Sequence, residues 1–210
     1  MTHETLLETI RVREGQTPLL ARHEARLRRA GVHQPGLTDL VAPHLTLGEA
    51  VVRVEVGPGG STTSTRPVPV AGALRLSLAS TPHAPYPRKT TARAVFDAAF
   101  AEARAAGADD ALLITVGGAV AEGTVWNLFW WEDRGLVTPP LSLGILPGVA
   151  RERVKELVEV TERVVGPAEL RGRSLFGTNA VRGIIEIATL AGETVPRDDR
   201  TAALVDRFWP

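Results

Sequence analysis

Asp110–Trp131 reads DALLITVGGAVAEGTVWNLFWW, and the reading of this stretch decides the fold class. Asp110–Val116 is an apolar run of strand length, Gly117-Gly118 is a dipeptide that closes two-residue hairpins, and Ala119–Trp131 returns as a long, tryptophan-rich strand. Upstream, Thr91–Ala106 predicts a helix, and before it Ser80–Arg88 (STPHAPYPR) carries three prolines in nine residues and reads as an extended linker. Downstream, a strand around Leu136–Thr138 stops at Pro139-Pro140. Pro147-Gly148 then stands directly before an amphipathic helix at Ala150–Val160, whose start is a candidate anion site. The segment SLFGTNAVRGIIEIATLAG (174–192) reads as two strands with a polar break at Gly177-Thr178-Asn179.

The N-terminal part mixes strand and helix as well. Leu6–Arg13 (LLETIRVR) alternates apolar and polar residues as a half-buried strand does, and Arg22–Ala30 is a basic helix closed by Gly31. A weaker helix signal covers Leu37–Leu45. Ala50–Val56 and Ala73–Ala79 read as two strands joined by GPGGSTTSTRP, a hairpin loop or, less in keeping with the absence of a lysine and a following helix, a phosphate cradle. The proline linker divides this α/β chain into a small N-terminal lobe, residues 1–82, and a larger mixed lobe, residues 83–210.

Composition removes several functional classes. The 210 residues hold 24 basic and 24 acidic side chains, so unaided electrostatic binding to nucleic acid is not expected. Without cysteine there is no disulfide, thiolate metal site or cysteine nucleophile. The apolar fraction of 44% supports a sizeable core, and the longest apolar stretch, Ala111–Trp131, is interrupted by Glu122 and glycines, so no membrane span is expected. The N-terminal residues carry acidic groups where a secretory signal has a basic region, which reads as cytoplasmic. His3, His23, His33, His44 and His83 show no metal-ligand spacing, so no metal is expected. The motifs GxSxG, GxxxxGK[ST] and GxGxxG are all missing.

Lysine usage stands out against this background: of 24 basic residues only Lys89 and Lys155 are lysines. A guanidinium stays protonated, whereas a desolvated lysine can lose its proton and attack a carbonyl. Lys155 sits among Arg151, Glu152, Arg153, Glu156 and Glu159, where solvated helix pairing accounts for it. Lys89, at the exit of the linker, is what a surface helix start would carry, and equally what a carbonyl chemistry would need.

Five segments, in order along nearly the whole chain, resolve that choice by resemblance. They are Leu7–Val12 (LETIRV), His23–Leu27 (HEARL), Lys89–Arg93 (KTTAR), Glu122–Phe129 (EGTVWNLF), and Thr138-Pro139-Pro140 with Leu146–Arg151 (LPGVAR). Together they resemble the fold-type IV pyridoxal-phosphate enzymes, which include branched-chain and D-amino-acid aminotransferases and aminodeoxychorismate lyase. The resemblance implies a two-lobe α/β fold with pyridoxal 5'-phosphate in the cleft between the lobes. It implies Lys89 as the lysine that bonds the cofactor aldehyde, Glu122 facing the pyridine nitrogen, and Arg26 on the phosphate. The amides of Val149 and Ala150 and the Thr178 hydroxyl would complete the phosphate cup. Such a cofactor needs an amine, a carboxylate and donors for a dianion, and these residue types supply them.

Within the class, Lys89-Thr90-Thr91 and Thr178–Gly183 (TNAVRG) are most similar to aminodeoxychorismate lyase domains, with Asn179 as the distinguishing residue on substrate or cofactor. The chain departs from the pattern at Arg88, Phe96 and Ala150, where histidine, tyrosine and a hydroxyl residue are usual. The implied reaction converts 4-amino-4-deoxychorismate to 4-aminobenzoate and pyruvate, a step of folate precursor synthesis, with Lys89 moving the proton. Arg11, Arg93 or Arg182 would bind substrate carboxylate. The alternatives are an aminotransferase acting on branched-chain or D-amino acids, and a non-catalytic member of the class. A homodimer is expected from the resemblance, with an aminodeoxychorismate synthase as a partner in the same pathway.

Overall fold

The computed structural model describes residues 4–32, 36–70 and 72–210, and the structural statements below concern those residues. β1 (Leu6–Val12) alternates as its sequence predicts, with Leu6, Ile10 and Val12 in a buried core on one face and Leu7, Thr9 and Arg11 on the other. α1 (Leu20–Arg29) and α2 (Leu37–Val41) cover the first face, adding Leu27, Leu37 and Val41 to that core. α1 ends where expected: Gly31, at φ +86°, turns the chain so that Val32 N–H reaches Leu27 C=O at 3.0 Å.

β2 (Ala50–Gly57) and β3 (Gly60–Arg66) complete a three-stranded antiparallel sheet of order β1-β2-β3. Here the structure corrects the sequence reading. Most of GPGGSTTSTRP is neither loop nor phosphate cradle, because its Ser/Thr run forms the edge strand β3 and only Pro58-Gly59 turns. β-branched threonine suits a strand whose outer edge is wet. The next strand, β4 (Leu74–Leu78), was expected to pair with β2 and instead joins a second sheet, so the chain leaves the first sheet after Arg66 and enters the second at Leu74.

That second sheet is built from the rest of the chain: α3 (Ala94–Ala105), β5 (Asp110–Ile114), β6 (Val120–Gly123), β7 (Asn127–Glu132), β8 (Gly135–Thr138), α4 (Val149–Leu157), β9 (Val160–Glu162), β10 (Leu175–Asn179), β11 (Gly183–Leu190), β12 (Glu193–Thr194) and α5 (Asp199–Phe208). Its nine strands run β6-β5-β4-β11-β10-β7-β8-β9, with β12 beside β11. Pairings β4–β5, β4–β11 and β8–β9 are parallel and the remainder antiparallel, which makes the sheet mixed. Val120 N–H donates to Val165 C=O at 2.8 Å, so the sheet curls until the two ends of its path meet.

The period of two in Asn127–Glu132 separates two cores. Leu128 and Trp130 pack inside the curl with Leu112, Ile185 and Ile187, whereas Phe129 and Trp131 pack outward with Phe176, Val154, Leu204 and Phe208. Fully buried aromatic side chains such as Trp130 and Phe129 each contribute about 2–3 kcal/mol of transfer free energy. Phe96, Ala99 and Ala103 of α3 cover Ala111 and Leu113 of β5.

Three further differences from the sequence reading concern boundaries. The single strand expected at Ala119–Trp131 is broken into β6 and β7, because Thr124 leaves the ladder to donate its hydroxyl to Asp110 at 2.6 Å and Trp126 folds over Gly123. The polar break expected at Gly177–Asn179 lies at residues 180–182 instead, leaving Thr178 within β10. α5 was not read from the sequence, although Asp198 caps it by accepting Arg200 N–H at 2.9 Å and Leu204 and Phe208 form its buried stripe.

Candidate active site

The face of the three-stranded sheet that carries Leu7 and Thr9 and the rim of the larger sheet enclose a cavity of about 560 Å³. Lys89, Glu122 and Arg26 all line it, and so do Val149, Ala150, Thr178, Asn179, Arg93 and Arg182. Arg26 and Lys89, 63 positions apart, reach it from a helix and from an extended segment.

The lysine is held through its backbone. Leu7 N–H donates to Lys89 C=O at 2.8 Å and Thr91 N–H to Thr5 C=O at 3.0 Å, so β1 is stitched to the linker exit. On the other side the buried Tyr86 hydroxyl donates to Thr90 C=O at 2.5 Å and accepts Thr90 N–H at 2.7 Å. The half-buried Lys89 ammonium has no hydrogen-bond or ion-pair partner among the described residues. Burial, with Arg26 and Arg93 nearby, lowers its pKa to about 7 against the opposing pull of Glu8 and Glu122. A large fraction of this lysine is a neutral amine near neutrality, ready to attack a carbonyl.

Glu122 is buried at the end of β6 and accepts four contacts: His83 Nε2–H at 3.1 Å, Leu146 N–H at 3.1 and 3.2 Å, and the Asn127 amide at 3.3 Å. Burial raises its pKa, opposed by His83, the Leu146 amide and Lys89. A carboxylate in this position gains from a cationic partner inside the cavity. Asn127 also donates to Leu146 C=O at 3.0 Å, and a Cβ on Gly148 would lie 2.0 Å from its side-chain oxygen. Glycine at 148 is therefore required for the Asn127 clamp to sit against the start of α4. There the N–H groups of Val149 and Ala150 have no intrahelical acceptor and line the cavity.

Arg26 projects from α1 toward Glu8 of β1, with Nε–Oε1 at 2.9 Å and Nη2–Oε2 at 2.5 Å. His23, one turn earlier, brings Nδ1 to 2.6 Å from the same Oε2. Burial raises the Glu8 pKa, but Arg26 and His23 override it and hold the carboxyl at about 2.

One expected role is corrected by the contacts. Arg11 does not reach the cavity, because its guanidinium pairs with Glu49. Asn179 spends its amide on the β10–β11 turn, accepting Val181 N–H at 3.0 Å and Arg182 N–H at 2.9 Å and donating to Val125 C=O at 3.3 Å. Thr178 also lines the cavity, and its hydroxyl donates to Gly183 C=O at 2.9 Å. Arg93 lines the cavity but donates to Thr124 C=O at 2.8 Å and lies over the Phe96 ring at 5.2 Å. Arg182 Cζ lies over the Trp126 ring at 5.0 Å, its Nη2 donates to Gly72 C=O at 3.1 Å, and its buried Nε has no partner.

Glu8, His23, His83 and Tyr86 were missed as site residues. Glu8 carried a signal, a carboxylate at a core-facing position of an alternating strand; His83 and Tyr86 lay inside a proline-rich linker and carried none. His44 bonds the Thr63 hydroxyl at 3.1 Å, and His3 and His33 lie outside the described residues. Among the described residues no group of three or more His, Asp or Glu side chains is arranged to hold a metal ion, and no helix is long and apolar enough to cross a membrane.

An unpaired neutral-prone amine, a buried carboxylate short of a cation, a guanidinium with one edge unspent and two open helix amides form one donor set. It fits a molecule bearing an aldehyde, a protonatable ring nitrogen and a phosphate. Residues 41–190 match the family amino-transferase class IV, and the chain belongs to that family, whose members depend on pyridoxal phosphate. The chain is similar to the aminodeoxychorismate lyase of Bacillus subtilis, 45% identical over 47 residues, covering 22% of this chain and 16% of that protein. It is also similar to the branched-chain-amino-acid aminotransferase of Escherichia coli, 38% identical over 74 residues, covering 33% of this chain and 24% of that one. Among the curated relatives the match reaches at most 40% of the relative's length. The crystal structure of a branched-chain aminotransferase from Thermoproteus uzoniensis shares the fold, with a TM-score of 0.85, 21% identity and coverage of 98% of this chain and 84% of that chain.

Proposed function

We propose that this chain is a pyridoxal-phosphate lyase that splits 4-amino-4-deoxychorismate into 4-aminobenzoate and pyruvate. The observation that carries this choice of substrate is Arg182. Its guanidinium carbon sits 5.0 Å from the centroid of the Trp126 ring at the cavity wall, Nη2 donates to Gly72 C=O at 3.1 Å, the buried Nε has no acceptor, and no carboxylate pairs with it among the described residues. A guanidinium on an aromatic shelf suits the carboxylate of a flat ring acid, which it can meet bidentately while the ring stacks beside it.

When bound, the cofactor supplies an aldehyde that captures the substrate amine and a ring that draws electrons from the adjoining carbon. Arg26 and the amides of Val149 and Ala150 would hold its phosphate. Glu122, with His83 and Asn127 behind it, would face the ring nitrogen as a carboxylate. Lys89 would hold the aldehyde end, and its Nζ is the group placed to take the proton from the substrate C4 and to hand one to the departing pyruvate. Tyr86 and the β1 stitch limit how far Lys89 travels in that exchange. We further propose that the active form is a homodimer, to be read by size-exclusion chromatography with light scattering.

A second reading has its own observation. The cavity rim carries the exposed apolar residues Val70, Phe100 and Val125, which suit the aliphatic side chain of a branched-chain amino acid in an aminotransferase. The deciding experiment mixes the holoprotein with enzymatically generated aminodeoxychorismate and follows 4-aminobenzoate fluorescence, beside Lys89→Ala. Product from the native chain alone is expected. No product, together with conversion of the bound cofactor to its amine form by leucine alone, would replace the lyase with the aminotransferase.

A further inference from the structure

We propose that Glu8 is a positioning residue for phosphate capture: its carboxylate fixes the Arg26 guanidinium with one edge turned to the cavity, and so sets the preference for a phosphorylated cofactor. The proposal rests on the reading of Arg26 as a phosphate ligand given above.

The geometry is that of a two-point clamp. Glu8 accepts from Nε and Nη2 of Arg26, which together form one edge of the planar guanidinium. Two bonds along one edge fix the plane, and Nη1 then has no protein acceptor among the described residues, while Arg26 lines the cavity. His23 adds a third contact on Glu8 Oε2, so the carboxylate itself cannot rotate away from the arginine. His23 is fully buried, its Nε2 has no partner, and burial lowers its pKa. It therefore contributes an N–H without adding a second charge, and Glu8 and Arg26 remain a one-to-one ion pair.

β1 makes this clamp part of the larger geometry. Glu8 projects from one face of the strand to Arg26, and the preceding residue, Leu7, donates its backbone N–H to Lys89 C=O. One short strand thereby sets the distance between the amine and the guanidinium. A cofactor that must bond one end and ion-pair the other meets both at fixed separation.

The test compares the affinity of the apoprotein for pyridoxal 5'-phosphate and for pyridoxal, both read by quenching of tryptophan fluorescence. The native protein is expected to prefer the phosphorylated form at least 100-fold. Glu8→Asp keeps the charge and withdraws the carboxylate by one methylene, and is expected to reduce that preference at least tenfold while affinity for pyridoxal stays within about twofold. Should Glu8→Asp fail to give a native near-ultraviolet dichroism spectrum, the isosteric Glu8→Gln, which loses one arm of the clamp, is measured with the same expectation. A preference unchanged in a folded Glu8 variant, when Arg26→Gln abolishes it, overturns the proposal and leaves the phosphate reading standing. A preference that Arg26→Gln leaves intact overturns the phosphate reading itself, and the proposal with it.

Discussion

Glu8 and Glu122 are the same residue type at nearly equal depth, 1% and 3% exposed, yet their acidities move in opposite directions. At Glu8 a guanidinium and an imidazole lie within hydrogen-bond distance, and their attraction outweighs the desolvation that both carboxylates suffer. At Glu122 the close donors are an imidazole, an amide and a backbone N–H, and desolvation wins. The first carboxylate has its counter-charge built into the protein and does a structural task. The second lines the cavity, as Glu8 does not, and lacks a full counter-charge, so a cationic group entering the cavity would supply it.

Lys89, which feels both carboxylates, provides the largest expected effect. Its folded pKa of about 7 lies below its ordinary 10.5, so the unfolded chain binds the extra proton between those values and stability rises with pH across that window. Lys89→Met is expected to stabilise the apoprotein by about 4 kcal/mol at pH 6, at ~1.4 kcal/mol per pKa unit, with the gain vanishing near pH 10.5 in urea melts. A pH-independent gain would mean that burial and the neighbouring guanidiniums do not shift this amine.

Glu8→Gln tests the paired side of the comparison. A folded pKa of about 2 against an ordinary 4.5 means stability that is present above pH 4.5 and lost as pH falls toward 2. The variant is expected to lose about 3 kcal/mol at pH 7 in denaturant unfolding and to show no such acid limb, so that the two curves converge near pH 2.

Glu122→Gln tests the other side. It removes a charge that burial already disfavours, so apoprotein stability is expected to stay within about 1 kcal/mol. Turnover falls about 100-fold, while pyridoxal phosphate stays bound, in steady-state assays with parallel absorption spectra. Equal losses of stability at Glu8 and Glu122 would erase the distinction. The smallest effect is at His83: replacing it by Asn shortens one donor to Glu122 and is expected to lower kcat about fivefold with unchanged cofactor affinity.

Legibility in the sequence followed how local each cause is. The alternation in Leu6–Val12, the glycine stop at Gly31 and the Pro147-Gly148 entry to α4 depend on neighbours within a few residues, and all read correctly. β4 did not, because its apolar residues fit either sheet and only the partner strands β5 and β11 decide between them. The break at residues 124–126 was hidden for a similar reason, since it depends on Asp110 reaching Thr124 from another strand. In the cavity, Lys89, Glu122 and Arg26 were named from the resemblance, and the structure brings them together. Arg11 was misread because a polar side chain looks available in sequence until its tertiary partner, here Glu49, is seen to occupy it.

The stitch between Leu7 and Lys89 has a consequence for the order of assembly. The three-stranded sheet closes with contacts among residues 6–66 and can form early in synthesis, but its cavity-facing side stays blank until residue 89 returns to its edge. Glu122, the start of α4 and Arg182 arrive later still, each from a different part of the second sheet. Long-range contacts of this kind are the slow ones to form in folding. Capture of the cofactor by a nascent chain would therefore report that synthesis has passed Arg182 and that these segments have found their places.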